Sequence, residues 1–159
     1  MNLSKKFTDF LYGTERVKRK FSAEHPGEII FAADASKGII TKSNHEITRG
    51  LDWVTSQRAV VILTNKRIKC GRWNIPLEQI ISAQIVKFPT TYGAAQVLKI
   101  ETKNQDNYQF GMQMNKEWTE QTVLPLALEK QKLKYSFFSI AVRVLLLGYL
   151  VYWVIEKFK

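Results

Sequence analysis

The sequence predicts a mainly β chain with added α structure. An antiparallel sandwich or barrel of about seven short strands is closed by a C-terminal helix, preceded by an amphipathic helix and followed by a membrane helix. Three observations predict it. From Gly27 to Met114, apolar residues alternate with polar ones or run in short blocks between turn signals. Leu3, Phe7, Phe10 and Leu11 recur at helical spacing. Phe137 to Ile155 is apolar on every side apart from Arg143. The organisation expected is an amphipathic basic segment over 1–26, a β domain over 27–134 and a tail anchor over 135–159.

The first helix carries one apolar stripe with Lys5, Lys6 and Asp9 elsewhere around it, and Gly13 is expected to end it. Arg16, Lys18, Arg19 and Lys20 follow. A basic amphipathic helix can lie on an anionic membrane. The commoner fate of such a stripe is to pack on its own domain or on a partner. His25-Pro26-Gly27 is a turn signal, and Glu28–Ala33 reads as a strand. Ser36–Gly50 is polar and ambiguous, with a strand over Gly38–Lys42. Ala59–Leu63 is a continuous apolar run, as expected of a strand covered on both faces. Thr64-Asn65-Lys66-Arg67 is a tight hairpin turn in which Asn65 tolerates positive φ. Ile68 and Cys70, then Ile81, Ala83 and Ile85, then Leu98 and Ile100 each alternate with polar residues. Pro76 removes a donor and belongs at an edge or a crossing point. Tyr108, Phe110, Met112 and Met114 keep a clear period of two. Asn115 caps a helix carrying Trp118. Pro125 ends or kinks it, and Leu126–Lys134 resumes as helix.

The formal net charge of +10 is diffuse: residues 1–27, 28–114 and 115–159 carry excesses of three, four and three bases. That favours general attraction to a polyanionic surface over one reading cleft. Arg58, Lys66, Arg67, Lys69 and Arg72 cluster around one hairpin. No aromatic strand face is left over for stacking, so nucleic acid is not the expected partner. A single cysteine, Cys70, permits no intrachain disulfide and fits a reducing compartment. It reads as a small buried hydrophobe. His25 and His45 read as solvated surface residues, and no His/Cys cluster has metal spacing. No phosphate loop, H-x-x-x-H, G-x-S-x-G or C-x-x-C occurs, so neither an enzyme nor a cofactor is expected. The N-terminus lacks the apolar run of a secretory signal, so the domain is expected on the cytoplasmic side.

The run VVILTNKRIKCGRWNIPLEQIISAQI resembles the core of bacterial pleckstrin-homology-like and GRAM-like domains. The likeness extends over Gly27-Glu28-Ile29-Ile30, Trp53, Leu63–Ile68, Ile75–Ile80, Tyr108-Gln109-Phe110 and Trp118. It implies a pleckstrin-type antiparallel barrel closed by a C-terminal helix. Trp53, Trp73 and Trp118 have an independent account as core packing. Lipid-binding members of the wider family clamp phosphates with a dense basic loop between their first two strands. Here that region holds Lys37, Lys42 and Arg49 but also Asp34 and Glu46, which is thin for specific phosphate recognition. Weak anion contacts are expected at Lys37, Lys42, Arg58, Lys66, Arg67, Lys69 and Arg72.

Phe137–Ile155 is 19 residues, about 28 Å as helix against a hydrocarbon core of about 30 Å. Its twelve Leu, Ile, Val and Phe residues favour insertion by roughly 4–7 kcal/mol. Arg143 opposes this by about 2.5–3.5 kcal/mol at the helix centre. Its long side chain can partly snorkel. Tyr149, Tyr152 and Trp153 toward the far end, and Lys130, Lys132 and Lys134 before the span, are the expected lipid contacts. Arg143 is the expected intramembrane contact with a partner helix. The expected function is a non-enzymatic membrane-anchored scaffold or interaction module. An accessory subunit of a larger membrane complex and a peripheral anionic-lipid-binding module are the alternatives. The expected partners are anionic lipid, held weakly, and a membrane protein; a homo-oligomer is compatible with the same reading.

Overall fold

The computed structural model describes the backbone of residues 3–41, 47–49, 53, 55–90, 93–130, 134–135 and 137–157. The side chains of 3–5, 48–49, 89–90, 93–94, 130, 134–135, 137–139 and 143 fall outside the description. Two helices, α1 (Leu3–Tyr12) and α2 (Thr14–Glu24), precede β1 (Ile30–Thr41), β2 (Thr48–Arg49), β3 (Gln57–Thr64), β4 (Arg67–Cys70) and β5 (Trp73–Pro76). A 3₁₀ turn at Leu77–Gln79 leads to β6 (Ile80–Thr90), β7 (Gly93–Thr102) and β8 (Asn107–Gln113). Then come α3 (Glu117–Glu120), β9 (Ala127–Lys130), β10 (Lys134–Tyr135) and α4 (Phe137–Lys157). The fold is mixed α/β, built on one eight-stranded sheet in the order β5-β4-β3-β1-β8-β7-β6-β9. All its ladders are antiparallel except β6–β9.

β1 is the hinge of this sheet. Its first part pairs with β3 and its second with β8, with Ser36–Gly38 pairing on both sides. The two strand segments expected within 28–42 are therefore one long strand. Its interior is buried almost without a break, because α2 covers one face and the main core the other. Pro76 lies on the edge strand β5, where its missing N–H costs no ladder bond. Gly38 is required by close approach: a Cβ there would stand 2.3 Å from the Trp73 ring.

The main core takes Ile68, Cys70 and Ile75 from one end of the strand order and Ala83, Ile85, Leu98 and Ile100 from the other. Trp118, fully buried, sits among them. Trp73 packs edge-on against Tyr108 and Phe110, and Trp53 packs on a smaller cluster of Ile47, Val86, Phe88 and Val97. All three tryptophans pack on the hydrophobic clusters. Cys70 is fully buried, 3.4 Å from the Ser36 hydroxyl, and burial pushes its thiol pKa up.

Four expectations are corrected. Asn65 does not take positive φ; among the described residues only Gln105 does so outside glycine. The Thr64 hydroxyl instead accepts from the N–H groups of Lys66 and Arg67, which closes the turn without a left-handed residue. The Asn65 side chain accepts from the Ile29 N–H. The closing helix is one turn: Asn115 Oδ1 accepts from Glu117 N–H, and Gln121 bonds both backbone groups of Leu124, ending the helix. Over its described residues Leu126–Lys134 does not resume as helix: Ala127–Lys130 instead pairs with β6 as β9. Arg16–Lys20 form the middle of α2, joined to α1 through Gly13 at φ +60°. His25 is half-buried and packs at a tilt of 57° against Phe21, with ring centroids 4.6 Å apart, rather than being solvated. Lys42, His45 and Lys132 lie outside the described residues.

α4 forms over the expected apolar run and is 21 residues long. Among the described residues, no helix is long and apolar enough to cross a membrane.

Candidate functional site, an outward apolar helix beside a basic sheet face

The site begins with how α1 is mounted. At about 100° per residue, Phe7, Phe10 and Leu11 share one side of the helix and Thr8, Asp9 and Tyr12 the other. The polar side is the one fixed to the domain. Gln113 Nε2 donates to Thr8 Oγ1 at 2.8 Å, and Thr14 Oγ1 donates to Asp9 Oδ1 at 3.2 Å. Tyr12 packs with Phe21, Ala33, Val60 and Ile62. The apolar side points away from the body, leaving Phe10 82% exposed and Phe7 and Leu11 each 64% exposed. The stripe therefore does not pack on its own domain.

β register builds the second half. Ala33, Ala35 and Lys37 of β1 lie opposite Ile62, Val60 and Arg58 of β3, and Ile62 lies opposite Lys69 of β4. α2 covers the apolar part of this face, and Lys37, Arg58 and Lys69 continue it. Lys37 and Arg58 are exposed and directly opposite, an arrangement that costs stability between like charges. None of the three has an ion-pair partner among the described residues. Between α2 and β3–β4 lies a groove of about 540 Å³, with Val17, Phe21, Val60 and Ile62 in its lining, Arg58, Lys69 and Lys20 as bases, and Glu24, which pairs with Lys20 at 3.7 Å, as its acid.

The other expected anion contacts divide. Arg67 is consumed by the fold: its Nε donates to both Glu28 carboxylate oxygens at 3.0 and 3.2 Å, and its Nη2 closes the ion pair. The Arg67 hydrogen bond holds the Glu28 pKa below its ordinary value, and the same bond raises that of Arg67. Lys66 and Arg72 are exposed at the two turns of the β3–β4–β5 meander and do not join the three-base cluster on the sheet face. Asp34, expected to weaken phosphate binding, is instead buried, accepting from Asn115 Nδ2 at 2.7 Å and Trp118 Nε1 at 3.1 Å.

On α4, Tyr149, Tyr152 and Trp153 are exposed, as is every described side chain from Val142 to Lys157. Lys157 Nζ lies 4.8 Å above the Trp153 ring, and Tyr152 donates to Glu156 at 3.0 Å. Lys130 ends β9 and Lys134 begins β10, so both precede the helix. The side chains of Lys130, Lys134 and Arg143 lie outside the described residues. Sequence reasoning missed the outward mounting of α1, whose signal lies in Thr8 and Gln113, more than a hundred residues apart.

No protein-family model, curated protein or solved structure matches the chain.

Proposed function

We propose that this chain is a non-enzymatic, membrane-anchored interaction module, a pleckstrin-homology-like domain held at the cytoplasmic membrane face by α4. The observation that carries this is α4 itself. It is a 21-residue helix whose Val142, Val144, Leu145, Leu146, Leu147 and Leu150 are all exposed. A contiguous apolar surface of that size marks a membrane or protein contact. Aromatic residues at its C-terminal end and lysines before its start fit the two interfaces.

The non-enzymatic part rests on the sequence, which carries no catalytic motif. Glu28, Asp34 and Ser36 are each engaged by hydrogen bonds that join distant parts of the fold. Carbonate extraction tests the anchor: the protein is expected to stay with the membrane pellet, and protease added from the cytoplasmic side should digest the sheet domain. Release into the carbonate supernatant would overturn the proposal.

A further inference from the structure

We infer that α1 is a second membrane contact: its outward stripe enters the interfacial layer of an anionic bilayer, and Arg58, Lys69, Lys37 and Lys20 meet the lipid phosphates. The bilayer is the one α4 enters under the function proposed above. An amphipathic helix in water turns its apolar side inward. Here the order is reversed, and two side-chain hydrogen bonds fix it so. The stripe is thus left for an apolar phase outside the molecule.

The charges choose lipid over an apolar protein surface. Lys6 flanks Phe10 on α1, Arg16 and Arg19 stand exposed on α2, and the sheet face adds three bases. The groove under α2 places apolar lining and bases together, which matches a phosphate joined to an acyl chain. The Lys37–Arg58 pair is unfavourable alone and favourable when an anion sits over both. Basic residues at an anionic surface contribute about 1 kcal/mol each, and apolar insertion of the stripe adds to this.

The test uses the full chain in vesicles, in a Cys70→Ala background whose fold is confirmed by circular dichroism. Phe10→Cys carries an environment-sensitive fluorophore. A second sample carries it at Gly148→Cys, a position on α4 with nothing within 4 Å of an added Cβ. Vesicles are phosphatidylcholine alone, or phosphatidylcholine and phosphatidylglycerol in equal parts, each with spin-labelled lipid as quencher.

The expected result is a blue-shifted, lipid-quenched label at position 10 in anionic vesicles only. Arg58→Gln and Lys69→Gln should each lower the ratio of docked to free α1 by about fivefold. A label at position 10 that stays at its aqueous wavelength while position 148 is quenched overturns this inference and leaves the anchor standing. Quenching at position 10 with an aqueous label at 148 supports the α1 contact and overturns the anchor. Equal quenching in both lipid mixtures overturns the role of the bases. Shielding from aqueous iodide without lipid quenching shows that a protein or a second copy covers the stripe, and overturns the lipid assignment.

Discussion

Lys37→Glu should make the protein more stable while weakening its attraction to anionic surfaces. The reason is register: Lys37 faces Arg58 across the β1–β3 ladder, and neither has an acidic partner among the described residues. Directly opposed side chains in an antiparallel pair interact at about 0.2–1 kcal/mol, unfavourably when like-charged and favourably when opposite. The reversal removes one such interaction and creates the other. Both groups are exposed, so screening trims the swing to about 0.5–1 kcal/mol. For a chain of this size that is roughly 1–4 °C in Tm. The assay is thermal unfolding of the full chain in detergent micelles, followed by far-ultraviolet circular dichroism at low salt. Arg58→Glu and the double variant complete a cycle. The double variant restores like charge, so it should lose the gain of both single variants. The gain should also shrink at 1 M salt, where the Debye length is about 3 Å. A neutral or destabilised Lys37→Glu, or a gain indifferent to salt, would refute the charge argument.

Glu28→Gln tests the buried ion pair by pH. The Arg67 hydrogen bond lowers the Glu28 pKa in the folded state, so its contribution is full above the unfolded value near 4.5 and fades as pH falls through the folded value. Urea midpoints of the parent and Glu28→Gln should therefore differ above about pH 5 and converge in acid; a constant gap would show that the charge is not what matters. Trp118→Phe should cost about 1–3 kcal/mol by removing one donor from the buried Asp34 carboxylate. Trp118→Ala should cost about 3–5 kcal/mol because a cavity is added. Both are read from urea unfolding, and equal losses would mean that the ring's volume contributes nothing separable.

The sequence showed best where burial is one-sided or complete over a short run. Ala59–Leu63 and Tyr108–Gln113 announce themselves as strands because their partners sit on fixed faces. β1 was legible only as fragments. Asp34 and Ser36 interrupt its apolar run, and the groups that satisfy them, Trp118, Asn115 and the Ala59 carbonyl, come from elsewhere in the chain. α2 was hidden because its helical signal is chiefly Val17 and Phe21 among charges. β9 was misread because short apolar stretches do not distinguish helix from strand, and its pairing with β6 is set by tertiary structure. Within the site, composition offered seven bases of equal standing. Register and one ion pair sorted them: three share a sheet face, and Arg67 is spent on Glu28, 39 residues away. The α1 stripe was visible, but which way it faced was not, since a hydrophobic pattern gives a direction around the helix and not around the molecule.

The two-residue parallel pairing of β10 with β2 has a consequence for avidity. Lys134 and Tyr135 pair with Thr48 and Arg49, and α4 starts at Phe137. One residue separates the paired strand from the helix, so the Cα atoms of Tyr135 and Phe137 lie at most about 7 Å apart. A domain tethered that closely does not sample bulk volume. It meets whatever surface lies beside the start of α4 at an effective concentration far above that of any free protein, and short linkers already give values in the mM range. Contacts too weak to recruit a free domain are then enough to set its orientation. Under the anchoring proposed above, a diffuse basic charge without a dense phosphate clamp is sufficient, because α4 supplies attachment and only the choice of face is left to the charges.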